Sequence, residues 1–214
     1  MSRAAKGQHV IVLGPDGSGK STLISGLFKH VIKNSLYDIV HHFHWRPALL
    51  PLLSDLLPSL SPVTKKTGDT SRIGGNPHSA PPASELSSYF RLLYYSSDYV
   101  AFWPFIELEK KRGALIVFDR YFDDFIVDPK RTRLNPNLKL ARRFQKFIPQ
   151  PDKIIVLRCD AETATQRKPE LSLSEYQRQQ ELYLEMAQTR KNSYVIDTSH
   201  SPEQSIEQAA RFLF

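Results

Sequence analysis

Cysteine and long apolar runs are scarce in this sequence. Cys159 is the one cysteine among 214 residues, which excludes a disulfide framework and a zinc site built on several thiolates. A single thiol also suits a reducing compartment. The longest apolar stretch, residues 47–60, is interrupted by Pro51, Asp55 and Pro58. It falls short of the roughly 20 apolar residues that a membrane-spanning helix needs.

We also expect no secretory signal. Residues 1–8 are polar, and no apolar segment of signal-peptide type follows them. We therefore expect a cytoplasmic protein with no membrane span.

Acidic residues are outnumbered by basic ones. The chain has 29 Lys and Arg against 22 Asp and Glu, a formal net charge of +7. This balance favours anionic partners such as nucleotides, sugar phosphates, nucleic acid or acidic lipid surfaces. The cations are spread from Lys6 to Arg211, so composition alone does not choose between a generally basic surface and a focused phosphate site.

The length and the hydrophobic pattern predict one domain, residues 1–214, with a mobile surface insertion at residues 47–83 that is rich in Pro, Ser and Gly. Short apolar runs predict strands at 9–13, 37–43, 114–118, 153–157 and 194–196. Helical periodicity predicts helices at 19–33, 85–112, 137–147, 162–168, 173–190 and 202–212. We expect Pro104 to kink or break the second of these helices.

This alternation predicts an α/β fold of three layers, with a central parallel sheet of about five strands and helices on both faces. Ligands in such sheets bind at the carboxyl ends of the strands. The functional residues are therefore expected where the strands end.

The segment GPDGSGKS at residues 14–21 matches the phosphate-loop pattern G-x-x-x-x-G-K-[ST], between a predicted strand and a predicted helix. Glycines let phosphates approach the backbone, and the helix N-terminus adds partial positive charge. Lys20 is expected to reach the β- and γ-phosphates, and the Ser21 hydroxyl to bind Mg²⁺. The predicted phosphate-binding residues are Gly14, Asp16, Gly17, Ser18, Gly19, Lys20, Ser21 and Thr22.

A second signal follows the third predicted strand, where ALIVF runs into Asp119 and Arg120. An acid in this place is the usual second metal-associated carboxylate of phosphate-loop proteins. We expect Asp119 to hold Mg²⁺ or to accept a proton from the acceptor. Arg120 is expected to bind a phosphate or the charge of the transition state.

The order of GPDGSGKS, YYSSD (94–98), FDRY (118–121) and RKPEL (167–171) resembles the thymidylate kinase-like branch of the P-loop nucleoside monophosphate kinases. The resemblance covers nearly the whole chain except residues 47–83. It implies transfer of the γ-phosphoryl group of ATP with Mg²⁺ and a mobile lid; similar kinases are often homodimers. In that branch the loop acid contacts the acceptor and the Asp-Arg pair lies beside it, roles that fall on Asp16, Asp119 and Arg120.

The lid implied by the resemblance falls at residues 160–178. Since Gly17 follows Asp16, the phosphate loop itself supplies no arginine there. We expect Arg167 to provide the catalytic positive charge and to contact the donor, with Lys168 and Arg178 as alternatives.

Two departures from thymidylate kinases concern the acceptor. Their acid in the YYSSD-type helix precedes an arginine, whereas Asp98 here precedes Tyr99. Their second strand leads to an Arg-Glu-Pro segment, whereas Arg46 and Pro47 stand here without the glutamate. These departures argue against dTMP as the acceptor.

The acceptor remains open at this stage. The predicted substrate-binding residues are Asp16, His44, Arg46, Arg91, Asp98, Arg120, Tyr121, Arg131 and Arg133. A nucleotide-like acceptor is the leading hypothesis, and a sugar or glycan precursor is the alternative within the same fold. A nucleic-acid end kinase is less expected because no nucleic-acid module is present. A nucleotide-dependent scaffold is the remaining class.

Overall fold

A computed structural model of the protein describes residues 6–51, 84–132, 134–135 and 138–214. Most of the predicted insertion, residues 52–83, lies outside the described residues.

Five parallel strands form one sheet in the described part of the chain, in the order β2-β3-β1-β4-β5. They are β1 (Gln8–Leu13), β2 (Val40–His44), β3 (Leu115–Asp119), β4 (Lys153–Arg158) and β5 (Ser193–Asp197). Within the sheet Val12 is paired with Asp119, and Leu13 with Val156. The central strands therefore end at one common edge, which confirms the predicted sheet.

Helices cover both faces of the sheet. They are α1 (Lys20–Lys33), α2 (Glu85–Lys111), α3 (Asp124–Val127), α4 (Leu138–Gln145), α5 (Ala161–Arg167), α6 (Leu173–Gln188) and α7 (Pro202–Leu213), with a 3₁₀ helix at Pro129–Thr132. One buried cluster joins the sheet to α2, α3, α4 and α6, and a second joins it to α1 and α7. The three predicted layers are thus present. The short α3 and the 3₁₀ helix were not predicted, because four residues are too few to show a period.

The aromatic segment of α2 contributes rings both to the core and to the surface, where Phe90 and Trp103 are 63% and 47% exposed. Tyr95, Tyr99 and Phe102 are buried against β3 and α3, as expected of large apolar rings on a helix that covers a sheet. Of the two effects predicted for Pro104, a kink or a break, the break is wrong, since α2 continues through it to Lys111. Pro104 is exposed, and flanking turns that pack on the sheet hold the helix together.

None of the helices in the described residues combines the length and the apolar character needed to cross a bilayer.

His9 is an unusual component of the core at the start of β1. Its side chain is 1% exposed, and neither ring nitrogen has a hydrogen-bond partner among the described residues. The ring packs edge-on against Phe118 and Tyr121, at centroid distances of 5.3 and 5.4 Å. Burial lowers the pKa of His9 to about 3, and this outweighs the opposing charge of Asp152. The imidazole is therefore neutral in the folded protein.

His9 makes the stability of the fold depend on pH. Because its pKa is lower when folded than when unfolded, the unfolded chain binds more protons between about pH 3 and pH 6.5. The free energy of unfolding should therefore fall on acidification through this range, by about 1.4 kcal/mol per pH unit below pH 6. Urea denaturation at pH 7, 6, 5 and 4 measures the slope. His9→Leu should flatten it, whereas His200→Gln, at an exposed histidine, should not. An unchanged slope in His9→Leu would contradict the assignment.

Candidate active site

The phosphate loop connects β1 to α1 at the carboxyl edge of the sheet. Gly17 and Gly19 have φ angles of 85° and 90°, a left-handed conformation that glycine adopts without strain. A Cβ on Gly17 would also collide with the carbonyl oxygen of Ala164 in α5. Gly19 occupies the N-cap of α1 and offers no capping side chain. The first N–H groups of α1 therefore remain available to an anion.

The Lys20 side chain folds back over this loop. Its Nζ donates to the carbonyl oxygens of Gly14 and Pro15, both at 2.7 Å. Burial, followed by the nearby charge of Arg120, lowers the pKa of Lys20 to about 7. A bound phosphate would supply the negative charge that restores its ordinary basicity.

Asp119 ends β3 beside the loop. Its Oδ2 lies 3.5 Å from Nδ1 of His44, and its Oδ1 is buried without a hydrogen-bond partner among the described residues. Burial acts to raise the pKa of Asp119, but His44, Lys20 and Arg120 outweigh it and lower the pKa. An ionised carboxylate oxygen with a vacant lone pair suits Mg²⁺, which prefers oxygen ligands. Asp119 and Ser21 line the same cleft, so the predicted metal residues fit the ion.

The cleft has a volume of about 330 Å³ and brings most of the predicted site residues together. Those lining it are Asp16, Gly17, Gly19, Lys20, Ser21, Thr22, His44, Asp119, Arg120, Arg131 and Arg167. Gly14 and Ser18 lie buried within the phosphate loop.

Asp16 forms ion pairs with three cations of the cleft. Its carboxylate lies 2.5 Å from Arg120, 2.7 Å from Arg131 and 3.3 Å from Lys168. Burial would raise the pKa of Asp16, but Arg120, Lys20 and Arg131 overcome it and hold the pKa far below its usual range. Asp16 is therefore ionised at every physiological pH. The ion pairs with Arg131 and Lys168 could not be foreseen from sequence.

Sequence reasoning gave no role to Asp124, which lies just beyond the Asp-Arg pair. Its Oδ2 accepts from Nη1 of Arg120 at 2.7 Å, and its Oδ1 accepts from the Tyr183 hydroxyl at 2.8 Å. The carboxylate is 2% exposed on its side chain. The one available signal was the acid itself, four residues after Arg120.

Arg167 lies at the junction of the cleft and a second cavity. This cavity of about 220 Å³ also includes Gly19 and Thr22, and extends to Thr198 and His200 after β5. Nη1 of Arg167 is 3.5 Å from the carbonyl oxygen of Thr198. The two cavities therefore adjoin along the phosphate loop, where they share the three lining residues Gly19, Thr22 and Arg167. Arg178 instead donates to the carbonyl oxygen of Val127 at 2.8 Å.

Several predicted substrate residues do not line the cleft. Arg46 and Asp98 pair with each other at 2.8 Å, and Asp98 also accepts from the backbone N–H groups of Ala48 and Leu50. Because Asp98 is fully buried, it secures the chain after β2. Arg91 is also buried, with Nε 3.5 Å from the Ser87 hydroxyl.

The prediction that Tyr121 contacts the acceptor is corrected by its position. Its ring is 2% exposed in the core, and its hydroxyl donates to the carbonyl oxygen of Pro149 at 2.8 Å. The φ angle of 75° at Arg120 sets a sharp change in chain direction between these neighbours, with Arg120 at the cleft and Tyr121 in the core. Arg133 lies outside the described residues.

The histidines of β2 do not form a metal site. His41 bonds to Glu109 at 2.8 Å, and His42 packs against Phe28. Among the described ranges, no group of three or more His, Cys, Asp or Glu side chains is arranged to hold a metal ion.

Comparisons with known proteins agree with this architecture. The sequence model of the thymidylate kinase family matches residues 61–209. The fold is similar to that of thymidylate kinase from Ehrlichia chaffeensis, with 14% identity, a TM-score of 0.62, and 97% of this chain and 99% of that chain covered. It is also similar to thymidylate kinase from Candida albicans, with 18% identity, a TM-score of 0.66, and coverage of 99% and 92%. No curated protein matches the sequence significantly.

The low pKa of Lys20 predicts that anion binding depends on pH. Sulfate keeps its charge from pH 6 to pH 9, so it reports the protein's own titration. Sulfate binds to the protonated form of Lys20. Above pH 7 Lys20 is increasingly neutral, so the affinity for sulfate should fall, by up to about tenfold per pH unit. Below pH 7 the affinity should be level. Calorimetric titration at pH 6, 7, 8 and 9 measures this, and Lys20→Met should bind weakly without the trend. An affinity for sulfate that does not fall above pH 7 would refute the prediction.

Proposed function

The chain belongs to the thymidylate kinase family, and on that premise we propose that it transfers the γ-phosphoryl group of ATP, bound with Mg²⁺, to a nucleotide or nucleotide-like acceptor. Membership of the family makes it a phosphotransferase. The observation that carries the proposal is the charge of the cleft: five cations and two carboxylates line it, an excess of three positive charges. Such an excess suits two phosphate-bearing substrates bound together.

The donor is proposed to lie along the phosphate loop. Lys20 would exchange the carbonyl oxygens of Gly14 and Pro15 for the donor phosphates. Asp119 and the Ser21 hydroxyl would hold Mg²⁺, which neutralises phosphate charge when bound. The nucleoside would occupy the cavity beside Thr198.

The lid at residues 160–178 would complete the site. Arg167 already borders both cavities, so closure brings its guanidinium to the transferring group and excludes water. The reaction then depends on positioning and on charge stabilisation.

The surroundings of Asp16 favour an acceptor that is already an anion. A carboxylate held by Arg120, Arg131 and Lys168 is a very weak base, because protonation would break three ion pairs. A phosphate oxygen needs no deprotonation, whereas a sugar hydroxyl loses its proton on transfer. Arg120 and Arg131 would bind the acceptor phosphate, with Asp16 orienting them.

One observation favours the alternative acceptor, a sugar or a glycan precursor. At the position of the arginine expected from thymidylate kinases, Tyr99 is buried, and its hydroxyl donates to the carbonyl oxygen of Trp45. Tyr99 therefore offers an acceptor phosphate no positive charge at this position. The Candida albicans enzyme is described as having broad substrate specificity, which also supports a wide choice of acceptors in the assay.

The test is a coupled ADP-release assay with Mg²⁺-ATP and single acceptors: dTMP, UMP, CMP, AMP, GMP, thymidine, glucose and a 5′-hydroxyl oligonucleotide. We expect a nucleoside monophosphate to be converted to its diphosphate, identified by ³¹P NMR. Lys20→Met should lower the rate about 1,000-fold, on the scale of losing a charge that stabilises the transition state.

Other outcomes of this assay decide against the proposal. Transfer to glucose or thymidine alone would support the sugar or nucleoside alternative, and transfer to the oligonucleotide would indicate an end kinase. ATP binding without transfer to any acceptor would indicate a nucleotide-dependent scaffold.

The proposed substrates and the buried, unpaired Cys159 fit a cytoplasmic enzyme.

A homodimer through α2 is also proposed. Five large apolar side chains of this helix are 42–69% exposed and fall within an arc of about 80° around its axis. They are Leu86, Phe90, Leu93, Val100 and Leu108. An apolar stripe along a helix of 27 residues matches a second copy of itself about a twofold axis.

Sedimentation velocity tests the dimer. The wild-type protein should sediment as twice the 24.5 kDa monomer, and Leu93→Glu with Val100→Glu should sediment as the monomer, because two carboxylates would be buried in the interface. Leu173→Glu, at an exposed leucine of α6, is the matched control and should remain dimeric. A monomeric wild-type protein would refute the interface.

A further inference from the structure

A continuous series of buried polar contacts runs from the phosphate loop to α6. Asp16 pairs with Nη2 of Arg120, Nη1 of Arg120 pairs with Asp124, and Asp124 accepts from the hydroxyl of Tyr183. Arg120 and Asp124 are 2% exposed, and Tyr183 is fully buried. The two carboxylates therefore hold opposite ends of one guanidinium.

The backbone alone does not keep Arg120 in this place. Its φ angle of 75° is a conformation that non-glycine residues seldom adopt. Burial opposes the charge of its guanidinium, but Asp124, Tyr183 and Asp16 together raise the pKa of Arg120 above its ordinary value. Without Asp124, the side chain would keep one buried carboxylate partner, and that partner also serves Arg131 and Lys168.

We propose that Asp124 is a positioning residue for phosphoryl transfer, which fixes the plane of the Arg120 guanidinium toward the acceptor, and that Tyr183 orients Asp124. The inference rests on the proposed function of the cleft. With Nη1 and Nη2 each tied once, Arg120 retains three N–H groups, and these are directed by the two carboxylates rather than by a flexible side chain. A preorganised arginine of this kind lowers the cost of binding a phosphate.

Tyr183 links this arrangement to the lid. It belongs to α6, whose first residues, 173–178, form the end of the proposed lid. Lys168 of the same lid reaches Asp16 at 3.3 Å. The lid and the helix that continues it thus contact the same ionic cluster. The lid and Arg120, the arginine proposed to bind the acceptor, are therefore positioned by the same set of contacts.

The neighbouring residue supplies a matched control. Asp123 is as buried as Asp124 and pairs with an arginine at a similar distance, 2.6 Å to Arg190. Arg190 does not line the cleft. Asp123→Asn should therefore cost stability as Asp124→Asn does, without changing contacts to the acceptor.

The first experiment is steady-state kinetics of Asp124→Asn, Tyr183→Phe and Asp123→Asn with the monophosphate that the wild-type protein phosphorylates. Asp124→Asn should lower kcat/KM for the acceptor about 10- to 100-fold, the worth of one hydrogen bond between charged groups. Tyr183→Phe should lower it about twofold to tenfold. For both variants KM for ATP should remain near the wild-type value, and Asp123→Asn should keep the wild-type acceptor kinetics.

The second experiment does not depend on turnover. Inorganic phosphate is titrated while the side-chain Nε–Hε signals of arginine are followed by ¹⁵N NMR. Phosphate should shift the Arg120 signal in the wild-type protein and in Asp123→Asn. In Asp124→Asn the signal should be broadened, or its shift on adding phosphate should be smaller. The NMR titration still reports on Arg120 if no acceptor is phosphorylated. In that case the proposed function fails, and the NMR signal alone decides whether Asp124 positions Arg120.

Equal losses of melting temperature in Asp124→Asn and Asp123→Asn, with unchanged acceptor kinetics and an unchanged Arg120 signal, would overturn the inference and leave a structural ion pair. If Asp124→Asn does not fold, Tyr183→Phe decides. It keeps both charges, so wild-type acceptor kinetics in that variant would refute the role of Tyr183 and of the contact it orients.

Discussion

The carboxylate of Asp16 is the charge on which the rest of the site depends. It forms ion pairs with Arg120 at the end of β3, Arg131 of the 3₁₀ helix and Lys168 of the proposed lid, while Lys20 lies nearby in the phosphate loop. In a buried site the mutual repulsion of these cations would be several times stronger than in water. With Asp16 in place they form a pocket for anions that does not disrupt the fold.

This arrangement requires the parallel sheet. Since the strands share one direction, β1 and β3 deliver the phosphate loop and the Asp-Arg pair to a single edge, with Val12 paired to Asp119 in the sheet. The neighbouring strand β2 brings His44 beside Asp119. The site is therefore built at the ends of rigid central strands, and its charges are held before any substrate arrives.

Holding several charges inside a protein reduces its stability. Each buried ion pays a desolvation cost that its partner only partly offsets, and Lys20 shows this in a pKa near 7. The surrounding apolar clusters on both faces of the sheet provide the compensating stability. The same burial makes the positive cleft effective, because phosphate charge is bound more strongly where water is excluded.

Much of the molecule could be predicted from the sequence, because the signals were local. The apolar runs predicted the strands, the helical periods predicted the helices, and the glycines and Lys20 of the phosphate loop stand at a fixed spacing set by phosphate geometry. Asp119 and Arg120 could be placed at the same edge because a parallel sheet aligns the strand ends.

The tertiary structure alone decided which side chains meet. Asp16 is separated in sequence from Arg120 by 104 positions, from Arg131 by 115 and from Lys168 by 152, and no local pattern encodes such distances. The pairing of Arg46 with Asp98 and the burial of Tyr121 were missed for the same reason. The direction of a side chain at a strand end depends on one backbone angle and on what packs around it. Charge and polarity can be read from residue types, but the choice of ionic partner is made by the geometry of the folded chain.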